Sequence, residues 1–486
     1  MRWIGAVAVA VLLVLSGCVA PTSPWALPDR PGNEPGMSET PAPDPEGDVL
    51  GWENGHWHDD PLPINATDGL NETELGAVVN RSMARVEYLR RVEFDRVVPV
   101  TIISRSTFRE RVTDGNTTPS TARRRFENAR SEALFLVGEN RSATRSQQNN
   151  TATGVLGFYA PGKDRITIVS ESETPTISEG TLGHELVHAL QWGTYDMSQF
   201  TGRTIEARNT NRAVFEGDAR YVDRRYGERC GAEWACVSPP PNGGDGDGGG
   251  GGGFHFGLYL LQYFPYSDGP GLIERRLDVG GWGAVADLYE RPPASTEQVI
   301  DPGTYGESGP REIRVPDRSD GAWRRIPRNR TETVGQPGIT AMLAYPAFEN
   351  SRSNRSVVPR RRVLNVRNGS VDRTDPYDYD IPPADGWDGD EMVIYASGSE
   401  TGYVWRLAWD TKADAREFAT AYARLLTYWG GERRNGVWRI PEGESGFADA
   451  FAVRVTGSTV TIVNAPTVGD LDGVHGPVAS WRSGSD

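Results

Sequence analysis

Three features of the 486-residue sequence predict an α+β fold. In TGVLGFYAPGKDRITIVSES (153–172), two β-rich runs flank Pro161-Gly162-Lys163-Asp164, which is turn chemistry between strands. Helical periodicity recurs on both sides of that hairpin. Near the C-terminus a strand-like YVWRLAW (403–409), a helix-like TKADAREFATAYARLLTYWG (411–430) and a hairpin-like AFAVRVTGSTVTIVNAP (450–466) succeed one another. A chain of this length buries a large core and divides into two or more domains.

Taken in order, the chain opens with one arginine and an apolar run from Ile4 to Leu15. The run is short for a bilayer span and suits the hydrophobic region of a signal peptide. It ends in Leu-Ser-Gly-Cys, which resembles the lipobox of exported lipoproteins. That resemblance implies a signal peptide over 1–18, a lipid on Cys18 and a place on the outer side of the cytoplasmic membrane. An ordinary cleaved signal or an uncleaved anchor is the alternative. Residues 19–50, rich in Pro, Ser, Thr and Glu, read as a disordered tether.

From Asn71, the residues Leu75, Val78, Val79, Met83, Val86 and Leu89 recur at helical spacing. VVPVTIIS (97–104) predicts a strand and TARRRFENARSEALFLV (121–137) a second helix. Beyond the hairpin, Thr176 and Glu179 stand as a capping box for the next helix, and another helix covers about 205–226. The stretch PPPNGGDGDGGGGGG (239–253) reads as a flexible excursion. It lacks the Gly-Lys-Ser/Thr ending of a phosphate loop. Helical signal resumes through Tyr289; a loop-rich connection (311–385) then leads to a small α+β C-terminal domain (386–486). DPYDYDIPPADGWDGDE (375–391) lacks an EF-hand pattern and reads as a solvated loop, as do His56 and His58 near the tether.

The net charge is −15, from 51 basic and 66 acidic residues, and Lys163 and Lys412 are the only lysines. Such a surface suits solubility in strong salt, a halophilic trait, although GC-rich coding also favours arginine. It excludes a general nucleic-acid binder, which needs a phosphate-neutralising face. Cys230 and Cys236 close a short loop, for which an exported chain predicts a disulfide. Nine N-x-S/T sequons also fit export.

The chemistry concentrates in GTLGHELVHALQWG (180–193). Histidines four apart on a helix face the same way, so His184 and His188 can share one ion, while Glu185 projects about 100° round. Leu182, Leu186, Ala189 and Leu190 centre roughly opposite the histidines. A metal site with an open position needs a third protein ligand. Glu216 in NRAVFEGDARYVDRRY is the first candidate, beside a stripe of Phe215, Ala219, Val222 and Tyr226. A salt bridge from Glu216 to Arg212 or Arg220 is the plainer reading. His255 is a rival ligand or proton donor, or simply a structural residue at a helix start.

GFYAPGKDRITIV, TLGHELVHALQ, FEGDARYVD and YERPPASTEQVIDPGTY occur in an order that resembles gluzincin, or peptidase MA-like, metallopeptidases of haloarchaeal-type surface lipoproteins. The resemblance covers roughly 70–307 and implies a zincin-like metallopeptidase domain, read here over 65–310. It implies Zn2+ on His184, His188 and Glu216, with Glu185 as general base. It also implies that the second hairpin strand flanks the cleft and pairs with an extended peptide. Three positions depart from the pattern. Asp301 and Thr304 stand where the resembled segment has histidine and lysine. Arg220 stands where an aspartate would orient the first histidine, leaving Asp218 or Asp223 as substitutes.

The expectation is therefore a membrane-anchored extracellular zinc metallopeptidase acting on a peptide or protein substrate. His255, Tyr221 and Tyr259 are candidate transition-state stabilisers. The alternative is a non-catalytic surface or cell-envelope binding module with a structural or degenerate zinc site.

Overall fold

The computed structural model describes residues 44–65, 68–113, 119–170, 177–237, 254–327, 330–349, 356–372, 374–443, 446–478 and 481. Cys18, the signal and most of the tether, Thr176 and the glycine stretch 239–253 lie outside these residues. The fold is α+β. It divides into two compact units, one drawing on 1–112, 151–197 and 218–248, the other on 113–150, 198–217 and 249–486. This division runs through the segment 65–310 rather than along its ends. No helix among the described residues is long and apolar enough to cross a membrane.

In the first unit, a two-stranded ribbon of β1 (Trp52–Glu53) and β2 (His56–Trp57) precedes α1 (Glu72–Arg90). The His58 ring stacks on Tyr88 with centroids 3.9 Å apart, so this histidine is packed and not solvated as expected. Helix α1 starts at Asn71, whose side chain accepts the Thr73 and Glu74 amides while Glu74 returns a bond to the Asn71 amide. Its periodic residues Val78, Val79, Met83, Val86 and Leu89 are buried, and so are Arg81, Arg85 and Arg90. Strand β3 (Val100–Ser104) runs directly into α2 (Arg105–Thr113).

The predicted hairpin forms from β4 (Gly157–Ala160) and β5 (Arg165–Ser170), paired antiparallel with Tyr159 opposite Ile166. Asp164 takes a left-handed conformation at the turn, where its carboxylate accepts from the Tyr159 hydroxyl and from Arg96. The sheet order is β3-β5-β4, with β3 parallel to β5. The second hairpin strand is therefore the central one, paired on both sides. The edge strand is the first, β4, which corrects the expected arrangement. Next in this unit comes α5 (Glu179–Thr194).

The second unit holds α3 (Thr121–Ala133) and α7 (Phe256–Ser267), α8 (Gly269–Glu290) and α9 (Glu297–Ile300). Helix α4 (Ala143–Gly154) and α6 (Ile205–Arg229) are continuous helices through which the division passes. A seven-stranded antiparallel sheet has the order β11-β12-β13-β14-β10-β9-β6. Its strands are β6 (Arg324–Arg325), β9 (Trp387–Ser397), β10 (Glu400–Trp409), β11 (Glu432–Arg434), β12 (Val437–Arg439), β13 (Ala450–Thr456) and β14 (Thr459–Ala465). A separate ribbon pairs β7 (Val366–Arg367) with β8 (Ser370–Val371). Helices α10 (Gly335–Ala344), α11 (Lys412–Tyr428) and α12 (Leu471–His475) complete the unit. The predicted strand, helix and hairpin of the C-terminal segment are β10, α11 and β13–β14. The capping box of α11 joins Thr411 to Asp414.

The acidic stretch 375–391 is not a solvated loop throughout. Its end enters β9, where Asp390 is buried and accepts from the Val334 and Gly335 amides and the Trp387 and Trp405 indoles. A carboxylate with four donors is tolerated inside a core that alternation alone assigns to apolar residues.

Candidate metal centre

Helix α5 is buried from its start to Gln191, apart from a half-buried Gly180. Its N-cap is Ser178, whose hydroxyl accepts the Thr181 amide. Glu179 is thus the first helical residue and not the partner of a Thr176 cap. Its carboxylate binds Arg81 at 2.9 Å and Arg85 at 3.2 Å, with side chains no more than 1% exposed. It also accepts from Ser82, from the Tyr226 hydroxyl and from the Val237 amide. Two guanidiniums from α1 therefore fix the start of the helix that carries the histidines.

His184 and Glu185 are fully buried and His188 is 5% exposed. The imidazoles lie 4.8 Å apart between centroids and nearly perpendicular, neighbours on one face through their four-residue spacing. Glu216 on α6 is also buried, within the continuous buried run 213–220. Small residues set how closely α6 approaches its neighbours. A Cβ on Gly217 would lie 2.6 Å from the carbonyl carbon of Gly269, and one on Gly183 of α5 would lie 3.1 Å from the Tyr226 ring. The stripe Phe215, Ala219, Val222 and Tyr226 is buried as expected.

One donor atom from each of His184, His188 and Glu216 lies within 4.8 Å of the others. Two imidazoles and a carboxylate make the donor set of a three-protein-ligand zinc site, so these residues fit the ion that the motif implies. Glu216 is also ion-paired: Arg212 reaches its Oε1 at 3.0 Å and bonds the Tyr266 hydroxyl at 3.0 Å. The plain salt bridge and the clustered ligand set coexist on one carboxylate.

Glu185 does not point at random. Its Oε2 accepts the backbone N–H of Tyr159, on edge strand β4, at 2.8 Å. Gly157 makes room for this approach, since a Cβ there would lie 3.1–3.2 Å from Ile168, Thr181 and the Glu185 Cγ. His188 is braced by Gln191, whose Oε1 lies 2.9 Å from Nδ1. Sequence reasoning missed Gln191, Tyr159 and Ser178. Only Gln191 carried a visible signal, three residues after His188 on the same helix face.

Each of the remaining candidates has partners of its own. His255 caps α7, its Nδ1 accepting the Leu258 amide at 3.3 Å while its backbone is clasped by Asn150. Burial holds its imidazole below the ordinary range. It is not among the grouped donors. Tyr259 packs with Tyr263, Tyr266 and Tyr377, and the Tyr221 ring lies 5.3 Å from the guanidinium of Arg224. Arg220 pairs with Asp223 at 2.5 Å. Asp218 receives Arg90 and Gln191. Asp301 accepts the Gly303 amide in a turn. Cys230 and Cys236 form the predicted disulfide.

A family model described as a domain of unknown function (DUF8575) matches residues 324–475, which hold the seven-stranded sheet and α10 to α12. No curated protein and no solved structure matches the chain.

Proposed function

We propose that this chain is a zinc metallopeptidase of the gluzincin type, exported and anchored outside the cell through a lipid on Cys18. One observation carries the reading: a buried His184–His188–Glu216 donor group with Glu185 beside it on the same helix, its carboxylate oriented by a backbone amide. A structural metal site needs no such glutamate. Zinc held by the three ligands supplies Lewis-acid activation of water and of a carbonyl group. Glu185 takes the proton of the attacking water and returns it to the leaving amine. The Tyr159 N–H keeps Oε2 in place during that exchange, so no reorganisation precedes proton transfer. The Arg212 guanidinium fixes one oxygen of Glu216 and orients the other.

The second reading, a surface binding module with a structural or degenerate zinc site, is favoured by the same Arg212 ion pair, since it satisfies Glu216 without any metal. The test compares the full-length chain with Glu185→Gln for zinc content and for hydrolysis of a peptide library in strong salt. One zinc per chain in both, with cleavage only by the unaltered chain, is the expected result. Zinc in both with cleavage by neither supports the binding module, and no zinc in the unaltered chain removes the site.

A further inference from the structure

His188 has a support beyond the two histidines and glutamate of the His-Glu-x-x-His pattern. Three buried side chains lead away from it: Gln191, then Asp218 on α6, then Arg90 on α1. Resting on the metal-site reading above, we propose that Gln191 and Asp218 lock His188 in its Nδ1–H tautomer, which makes Nε2 the nitrogen that binds the metal.

The chain of constraints starts at the ion pair. Arg90 Nε lies 3.0 Å from one oxygen of Asp218 and 3.1 Å from the other, with side chains 2% and 0% exposed. An ionised carboxylate only accepts hydrogen bonds. The Gln191 amide has ends of equal size and opposite chemistry, and the end facing Asp218 must therefore be the NH2 group. Its Nε2 donates to Asp218 Oδ2 at 3.4 Å. The carbonyl end then faces His188, with Oε1 2.9 Å from Nδ1. An acceptor at that place requires a proton on Nδ1 and leaves the ring lone pair on Nε2.

Burial makes the lock effective. Gln191 is 1% exposed and His188 5% exposed, so water offers no easy substitute partner. The opposite tautomer would set a ring lone pair against a carbonyl oxygen, leaving two buried acceptors facing each other. A metal ligand must present a neutral ring with its lone pair aimed at the ion, and the relay prepares that state before any metal arrives. Gln191 is thus a positioning residue, acting through His188, and Asp218 acts one bond further out. Arg90, Gln191 and Asp218 lie on three different helices, α1, α5 and α6, so no local pattern links them.

The test uses the full-length chain with Gln191→Leu, which fills the space without an acceptor, and Gln191→Glu, which keeps one. Imidazole 15N shifts of the metal-free protein report the tautomer directly. Zinc affinity is read by competition with a chromophoric chelator, and circular dichroism checks the fold. The expected result is Nδ1–H at His188 in the unaltered chain and in Gln191→Glu, and a tautomer mixture in Gln191→Leu. Zinc affinity should fall about 10- to 100-fold in Gln191→Leu and stay within about threefold in Gln191→Glu. Should Gln191→Leu not fold, Asp218→Asn keeps the size of the carboxylate yet lets the amide turn round, and the same mixture is expected. An Nε2–H tautomer in the unaltered chain, or Nδ1–H persisting in a folded Gln191→Leu, overturns the proposal. A lock seen by 15N in a chain that binds no zinc upholds the relay and overturns the metal-site reading alone.

Discussion

Glu179→Gln would remove the negative charge that two buried guanidiniums share at the start of the histidine helix. Glu179 Oε1 accepts from Arg81, Arg85, Ser82 and Tyr226, while Oε2 accepts the Val237 amide. Glutamine keeps one acceptor. If its oxygen stays with the arginines, its NH2 group meets the Val237 N–H, and two donors face each other in a buried place. The attraction lost is about 4 kcal/mol per pair at the effective dielectric that suits protein sites, offset by desolvation that both states share. Breaking a buried pair by changing one partner costs about 3–5 kcal/mol, and that is the expected loss here. Urea unfolding of the full chain in the presence of a chelator measures it without a contribution from metal. Because the pair is buried, the loss should persist as salt is raised. A loss below about 1 kcal/mol, the range of exposed ion pairs, would refute the reasoning.

Replacing Cys230 and Cys236 by alanine should lower stability by about 2 kcal/mol on the chain-entropy account, since the bridge closes a loop with a sequence separation of 6; urea unfolding checks this. Gly157→Ala puts a Cβ 3.2 Å from the Glu185 Cγ and should reduce peptide hydrolysis at least tenfold, on the order of losing a positioned base, while zinc content stays unchanged. Burial pushes the Glu206 carboxyl from 4.5 up to about 7, so the folded chain keeps a proton that the unfolded chain releases. The stability this confers is complete below the unfolded value near 4.5 and is lost as pH rises through about 7. The shift is worth about 3 kcal/mol. Glu206→Gln cannot titrate, and its thermal midpoint should vary less between pH 4.5 and 7 than that of the unaltered chain.

Local patterns carried much of the fold. The hairpin turn, the periodic apolar residues of α1 from Asn71 and the helix from Thr411 each rest on a few neighbours, and each was readable in the chain. Helices α2 and α4 were not, because Arg105–Thr113 and Ala143–Gly154 are polar segments with little apolar periodicity. The start of α5 was misread because Glu179 serves arginines about 95 residues earlier instead of its own helix cap. Strand β9 hid among aspartates because Asp390 is satisfied by donors from Val334, Gly335 and Trp405, far from it in sequence. At the site, spacing alone singled out His184, Glu185 and His188, and a plausible distance along the chain suggested Glu216. Gln191 sits at helical spacing from His188 and Asp218 was a named candidate, but the Arg90 link behind them and the amide behind Glu185 depend on tertiary placement that no spacing encodes.

The bond from Tyr159 to Glu185 is made by a main-chain amide, and every residue except proline supplies that group. A survey that truncates side chains one at a time would pass over position 159 and record at most the lost ring. The group that aims the carboxylate is thus hidden from side-chain truncation. Only a change to the backbone itself, an ester in place of the amide or proline at 159, deletes the donor. The one genetic trace it leaves is two residues away, in the bare hydrogen of Gly157.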